Sequence, residues 1–396
     1  MLIRNAHLTY CTNIHPGESW DAHFLALQQS FPQIKADVSP DVSMGIGLRL
    51  SNQASIEILS GDNLQQFKQW LQENDAYVFT MNGFPYGGFH DVVVKDQVHA
   101  PDWTTSERLA YTQRLFEILA QLLPEGMDGG ISTSPLSYRN WFAGANEVKK
   151  ATITATMQIL KIAQQLNEIY EQSGKILHLD IEPEPDGLLE TGREFIDWYE
   201  QVLLPLGSDF FDGKSNADTI IKRHINLCYD VCHFSIGYEV HEEVVAELAL
   251  KGIKTGKIQI SAALKASFDN DSENNQAILD SFAKFDEPTY LHQVIAREKD
   301  GRLTRYSDLP DALLLSKDAA EWRAHFHVPI FLEQFGLLSS TQSDIKEILA
   351  IWETRRFTNH LEVETYTWNV LPPELKIPIA SSISRELAWV AGQIKQ

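Results

Sequence analysis

Eight short β-type runs alternate with amphipathic helical runs along this chain, and that alternation argues for parallel strands joined by helical crossovers. The runs lie at 7–14 (HLTYCTNI), 44–51 (MGIGLRLS), 76–83 (AYVFTMNG), 129–135 (GGISTSP), 175–183 (KILHLDIEP), 224–233 (HINLCYDVCH), 256–264 (GKIQISAAL) and 360–368 (HLEVETYTW). Eight is the number that closes a (β/α)8 barrel. Helix punctuation agrees. Thr104-x-x-Glu107 and Thr191-x-x-Glu194 read as capping boxes, a run from about 144 to 172 stops at Ser173-Gly174, and Gly252 ends the helix that begins near His241. Two stretches break the rhythm: 84–102, aromatic and rich in Gly and Pro, and 286–332, whose LHQVIARE-KDG-RLTRYSD predicts a hairpin turning at Asp300-Gly301. The expectation is one α/β domain over 1–396, a single (β/α)8 TIM barrel carrying both stretches as insertions at its C-terminal mouth.

Parity within the runs says what the barrel encloses, because alternate strand residues point to opposite faces. In the fifth run Leu177, Leu179 and Ile181 oppose His178, Asp180 and Glu182. The sixth sets Ile225, Leu227, Tyr229 and Val231 against His224, Asn226, Cys228 and Asp230. The seventh sets Ile258, Ile260 and Ala262 against Gln259 and Ser261, and the eighth sets Leu361 and Val363 against Glu362 and Glu364. The first sets Leu8, Tyr10 and Ile14 against His7, Thr9, Asn13 and His15. Such alternation ordinarily means an antiparallel sheet with one wet face. The helical runs between strands, and the carboxylates and histidines gathered toward strand C-terminal ends, favour a barrel with an unusually polar interior; an open α/β sheet is the alternative.

Charge narrows the partners. Lys plus Arg is 33 against 54 Asp plus Glu, a net charge of −21 that repels phosphate backbones and anionic lipid heads, so no nucleic-acid partner is expected. No stretch of about 18 apolar residues occurs and MLIRNAHLTYC lacks a signal-peptide core, so the expected setting is cytoplasmic, with no membrane span. Cys11, Cys228 and Cys232 are too few for a disulfide framework and read as reduced and buried. Walker A, Gly-x-Gly-x-x-Gly, Gly-x-Ser-x-Gly and His-Glu-x-x-His motifs are missing, which removes the usual support for nucleotide-driven and serine-hydrolase mechanisms.

The residues with chemistry are Glu182 ending the fifth run, Asp230-Val-Cys-His233 ending the sixth, His325-Phe-His327 after the seventh, and Glu364 in the eighth. Carboxylates with neutral imidazoles suit Mn, Zn, Fe or Co as a divalent cofactor. Glu182 sits in Asp-Ile-Glu-Pro-Glu-Pro-Asp, where the prolines stiffen the turn that presents it. Three carboxylates converging in one cavity are costly unless a cation or protons neutralise them. A proton-sharing carboxylate cluster linked to the histidines is the other solution. His233 reads equally as a ligand or as a partner for a substrate hydroxyl, and Glu182 or Glu364 is the candidate base.

This pattern resembles the xylose isomerase-like TIM barrels, the superfamily of sugar isomerases, sugar epimerases and endonuclease IV-type enzymes. The residues that carry the resemblance are Glu182, Asp230 with His233, His325 with His327, and Glu364. The chain departs from the superfamily in the seventh run, where Gln259 or Ser261 stands at the place of a common ligand histidine. A closer resemblance, through HLTYCTNIHPGESW, NGFPYGGFH, DIEPEPDG, CYDVCHF, KIQISAAL, HFHVPIFLE and HLEVETYTW, is to the EboE-type metabolite traffic proteins. That resemblance implies a barrel acting with other Ebo proteins, including a prenyltransferase-like membrane protein, in making or moving a small-molecule precursor. It does not identify a reaction; the superfamily resemblance, with the ligand types, implies metal-dependent isomerisation or epimerisation of a sugar-like or prenylated precursor. Two alternatives stand beside it: a non-catalytic carrier of a pathway intermediate, and phosphodiester hydrolysis of endonuclease IV type, which the net charge disfavours.

Further candidates surround the mouth. Asn82 faces inward by parity, and the aromatic loop through Phe84, Tyr86, Phe89 and His90, with Gly83, Gly87 and Gly88, reads as a ligand cover or as packing. Arg139 offers an anion contact and Trp141 a hydrophobic or sugar face; the bland reading is an exposed Arg over a core Trp. His15 at the turn after the first run and Gln259 complete the expected substrate contacts, and His178 with Asp180 are expected to orient ligands from beneath Glu182.

Overall fold

The computed structural model describes residues 1–90, 92–212, 216–316, 319–373 and 376–394. Each of the eight runs contains a strand: β1 (Ala6–Tyr10), β2 (Met44–Arg49), β3 (Ala76–Asn82), β4 (Gly129–Thr133), β5 (Leu177–Ile181), β6 (Ile225–Asp230), β7 (Thr255–Ile260) and β8 (His360–Val363). They pair in parallel in the order β1-β8-β7-β6-β5-β4-β3-β2, and a bridge between Cys11 and Gly47 joins the two ends into a barrel. That seam is held less by backbone than by Thr9, whose hydroxyl donates to the Gly45 carbonyl at 2.7 Å and accepts from the Gly47 N–H at 3.1 Å. A side chain at Gly47 would strike the Glu362 carboxylate and the Tyr10 carbonyl, so the close approach requires glycine. A short strand Leu2–Ile3 folds back antiparallel on β1 through Arg4 and Asn5, both at positive φ.

Helices cover the barrel between strands, as the apolar outward face of each strand requires. The helix Ala145–Ser173 stops at Gly174 with φ of 73°, and His241–Lys251 stops at Gly252 with φ of 64°, both at the glycines expected to end them. The capping expectation needs correction by one residue at the helix Ser106–Leu122: Thr105 is the cap, accepting from the Arg108 N–H, because Thr104 instead hydrogen-bonds Asp102. Thr191 does cap Gly192–Trp198, but Glu194 turns back to the Glu190 N–H and does not complete a box.

The chain between β7 and β8 builds a second, antiparallel sheet of six strands. In order across the sheet they are Leu303–Tyr306, Val294–Glu298, Ala319–Ala324, Leu264–Ser267, Leu338–Ser340 and Gln334–Phe335. The hairpin turning at Asp300-Gly301 forms one edge of it, Val294 pairing with Tyr306. Its strand Ala319–Ala324 runs directly into His325 and His327. One run ends earlier and another starts later than the sequence suggests. After Tyr10 the backbone closes into a 3-10 turn at Thr12–Ile14, so alternation does not carry to Asn13 and His15; His224 belongs to the helix Ala217–His224 and donates from Nδ1 to the Leu177 carbonyl at 2.7 Å.

The bore is polar from end to end. On β5 and β8 the inward residues rise in three levels, His178 with His360, Asp180 with Glu362, and Glu182 with Glu364, all buried. Lys257 on β7 reaches Glu362 at 2.7 Å, with both side chains fully excluded from solvent.

Candidate metal centre

Glu182, Asp230 and Glu364 stand at the C-terminal ends of β5, β6 and β8, with a carboxylate oxygen of each within 4.8 Å of the other two. Asp230 caps the short helix Val231–Ile236: its Oδ1 accepts from the His233 backbone N–H at 3.0 Å and from the Ser261 hydroxyl at 2.7 Å. Glu364 Oε1 accepts from Asn13 Nδ2 at 2.7 Å and from Asn82 Nδ2 at 2.9 Å. Glu182 Oε2 and Asp230 Oδ2 are buried without any hydrogen-bond partner. Burial first, then the neighbouring carboxylates, pushes Glu182, Glu184 and Glu364 well above the usual range. Asp230 is the exception: burial raises it, but His233, His327, Ser261 and the His233 N–H together bring it below its ordinary value.

Three imidazoles close over these carboxylates, and each has its Nδ1 committed. His233 Nδ1 faces the Pro183 carbonyl at 3.1 Å and His327 Nδ1 the Glu364 carbonyl at 3.1 Å. His325 Nδ1 faces Gln293 Oε1 at 2.8 Å, and that amide is oriented by its own donation from Nε2 to the Pro185 carbonyl at 3.2 Å. A carbonyl oxygen only accepts, so each Nδ1 is the protonated nitrogen and each Nε2 carries a lone pair. His233 Nε2 and His325 Nε2 converge to 3.1 Å, and His327 Nε2 is buried without a hydrogen-bond partner. Burial lowers all three rings, His327 to about 4 and His325 further, so they are neutral at pH 7.

Neutral imidazoles held by their far nitrogens are the arrangement that presents nitrogen ligands to a cation. The ligand atoms fall into overlapping groups of three: Glu182 with Asp230 and Glu364, Asp230 with His233 and His327, Glu184 with His233 and His325, and Cys232 with His325 and His327. The separation of 3.1 Å between two Nε2 atoms is close to the edge of about 3.3 Å for a tetrahedron of nitrogens 2.0–2.1 Å from a zinc-class ion. Orphaned carboxylate oxygens, free imidazole lone pairs and a mixed O/N donor set all fit a divalent metal. Burial raises the Cys232 thiol well above its usual range, which keeps it protonated unless a metal takes it.

A pocket of about 580 Å³ opens above these groups. Its floor is Asn13, Asn82, Glu182, Glu184, Glu364 and the histidines, and its wall is apolar, formed by Phe84, Pro85, Phe89, Val98 and Leu291. Glu184 and His99 are site residues that strand parity did not single out, with His99 Nε2 3.1 Å from Glu184 Oε1. Glu184 shares the Glu-Pro-Glu motif of Glu182, which was a signal in plain view. Asn13 was read in the first run but gains its role only because the 3-10 turn swings it onto Glu364.

Of the expected substrate contacts, Asn82 lines this pocket, together with Phe84 and Phe89 from the aromatic loop. Tyr86 stacks edge-on to Tyr111 at 5.0 Å and lines an outer groove with Gly87, Gly88 and Phe89. Arg139 is spent on Glu194, at 2.8 Å to both carboxylate oxygens. Trp141 donates to Asp96 at 2.7 Å and packs behind His99. His15 is buried against Tyr10, its Nε2 3.3 Å from the hydroxyl. Gln259 lies below the carboxylates, its Oε1 accepting from the Cys228 thiol at 2.6 Å. His178 and Asp180 bond each other at 2.6 Å, four and two residues below Glu182 along the chain, and that bond ties each to the other and not to Glu182.

No family model and no curated protein matches the chain. Solved structures do. The chain is similar to a xylose isomerase-like TIM barrel protein from Mycobacterium smegmatis in complex with magnesium, at 9% identity and a TM-score of 0.51 over 98% of this chain and 96% of that one. It is also similar to the IOLI protein with a binding zinc atom, at 14% identity and a TM-score of 0.48 over 97% and 96% of the two chains. A D-tagatose 3-epimerase-like protein aligns at 10% identity and a TM-score of 0.48 over 98% and 97%. The fold is thus a xylose isomerase-like TIM barrel. Among the described residues, no helix is long and apolar enough to cross a membrane.

Proposed function

We propose that this chain is a divalent-metal enzyme that moves a proton between carbons of a small hydroxylated precursor, by isomerisation or epimerisation. The observation that carries this reading is the set of three Nδ1-locked imidazoles aiming their Nε2 lone pairs over a triad of buried carboxylates. Glu182, Asp230, Glu364 and the imidazoles would hold a divalent cation, which would supply Lewis acidity toward a carbonyl-hydroxyl pair of the substrate. Glu364 is fixed by two amide donors and serves as a ligand. Glu182 keeps Oε2 without a hydrogen-bond partner, so once this carboxyl is ionised beside a bound cation, that oxygen is the base that takes the proton from carbon and returns it. His233 and His325, each held at Nδ1, would present their Nε2 atoms to the same cation.

The division between polar floor and apolar wall supports a substrate with a sugar-like or polyol head and a hydrophobic extension lying along Phe84, Phe89 and Leu291. The resemblance of DIEPEPDG, CYDVCHF and HFHVPIFLE to EboE-type proteins supports a precursor passed on to other Ebo proteins, a prenyltransferase-like membrane protein among them, with the barrel working in the cytoplasm.

The test is metal content by elemental mass spectrometry on untagged protein purified without chelator, beside Glu182→Gln and Asp230→Asn variants checked for folding by circular dichroism. One equivalent of Mn, Zn, Fe or Co that is present in wild type and missing from the folded variants is expected. Wild-type protein free of metal after reconstitution overturns the reading.

One observation favours a carrier instead: Gln259, engaged with the Cys228 thiol, occupies the strand-seven position where the resemblance places a histidine. Solvent deuterium incorporation into a bound polyol separates the two readings, since only the enzyme exchanges the carbon-bound proton.

A further inference from the structure

The end of the bore opposite the mouth holds a second group of metal-ligand side chains. His178 is the second residue of β5, His360 opens β8 and Asp128 immediately precedes β4, and a ligand atom of each lies within 4.8 Å of the other two. The two rings face each other across the barrel with centroids 5.3 Å apart. The Asp128 carboxylate lies 3.9 Å from His178 Nε2 and 3.5 Å from His360 Nε2. His178 and Glu182 are four residues apart on one strand, about 13 Å at the rise of a β-strand, so this group is separate from the mouth.

The place is constructed. His178 Nδ1 is bound to Asp180 Oδ1 at 2.6 Å, a carboxylate-histidine pairing that commits Nδ1 and turns Nε2 toward Asp128. Asp180 and His178 need room inside the barrel, and glycines on β4 and β7 provide it: a side chain at Gly130 would collide with both, and one at Gly256 with Asp180. His360 is fully buried, its Nδ1 has no partner, and its Nε2 meets only the Asp128 carboxylate, at 3.5 Å. A buried imidazole so sparsely satisfied is costly, and a cation shared with Asp128 and His178 relieves that cost. Two of the cations around this end are turned away, Arg223 onto Tyr170 at 4.0 Å and Arg356 onto Trp352 at 4.2 Å.

We infer that Asp128, His178 and His360 form a second divalent-metal site, at the N-terminal end of the barrel, with two imidazoles, one carboxylate and a coordination position open to the solvent-facing cavity. The donor set selects the zinc class of ions over Mg²⁺ or Ca²⁺. The N-terminal face of such barrels contributes to stability and not to catalysis. The ion ties the starts of β4 and β5 to β8 across the bore.

The experiment is Zn²⁺ and Co²⁺ loading of full-length protein stripped by chelator, in wild type, Glu182→Gln/Asp230→Asn, His360→Gln and Asp128→Asn. The expected result is two ions per chain in wild type and one in the mouth double variant, whose visible Co²⁺ absorption disappears when Asp128→Asn is added and whose melting temperature rises with Zn²⁺. Asp128 is partly exposed, so its variant folds even where His360→Gln does not. A mouth variant that binds no Zn²⁺ at micromolar concentration, or binds it indifferently to Asp128 and His360, overturns the inference. The two readings fail separately: one ion lost only with Glu182 and Asp230 refutes the lower site, and one ion lost only with Asp128 refutes the mouth.

Discussion

The Nε2 atoms of His233 and His325 lie 3.1 Å apart, each the unprotonated end of a ring whose Nδ1 is already committed. Two lone pairs at that distance repel, and burial disfavours a bridging proton at neutral pH. Side-chain ¹⁵N NMR of metal-free protein at pH 7 should show both rings as the Nδ1–H tautomer, with Zn²⁺ moving both Nε2 signals together. An Nε2–H tautomer at His325 would contradict the ligand assignment.

Metal uptake should release protons. Glu182, Glu184 and Glu364 are raised by burial and by one another, so they are protonated where ordinary glutamates are charged. A cation binds their ionised forms, so affinity climbs as pH rises and falls in acid. Titration calorimetry at pH 7 in buffers of different ionisation heat should return one or more protons released per Zn²⁺ at the mouth. A binding heat independent of buffer would refute this.

How much of this was legible beforehand follows from where each side chain gets its position. Glu182, Asp230 and Glu364 sit on or just past regular strands, where period-two alternation alone decides the face, and the strands were found at their places. Asn13, His99 and the approach of His325 to His233 depend on a 3-10 turn, a loop and a separate antiparallel sheet, none of which has a period to read. Arg139 and Trp141 were drawn away by Glu194 and Asp96, partners 55 and 45 residues distant that no local pattern reveals.

The Lys257–Glu362 pair is sealed in the bore. Removing one member strands a buried charge, so Lys257→Met should cost about 3–5 kcal/mol in urea unfolding at pH 7. Lys257→Met/Glu362→Gln should recover more than half of that loss, because the pair is coupled. Additive losses would mean that the two side chains are stabilised independently.

Glu386 lies under the mouth, accepting from Thr365 Oγ1 at 2.8 Å and the Ile330 N–H at 3.2 Å, and burial pushes it up to about 7. A carboxyl raised in the folded state stabilises below its unfolded value of about 4.5, and that stability is lost as pH rises through 7. Glu386→Gln keeps the acceptor without the charge. It should match wild type at pH 5 and exceed it by about 1–3 kcal/mol at pH 8, measured by thermal unfolding across that range. Equal stability at both pH values would place Glu386 in a more polar setting.

The sheet inserted between β7 and β8 delivers His325 and His327, while Glu182, Asp230 and Glu364 come from the barrel wall. Two of the three neutral donors therefore reside on a piece of chain separable from the carboxylates. A graft that exchanged residues 264–340 for another loop would leave the carboxylates with His233 alone, a basin shifted toward hard ions such as Mg²⁺, and restoring the sheet would return the preference to softer ones. Ion selectivity in this architecture is a property of the appendage, and the barrel is its acidic socket.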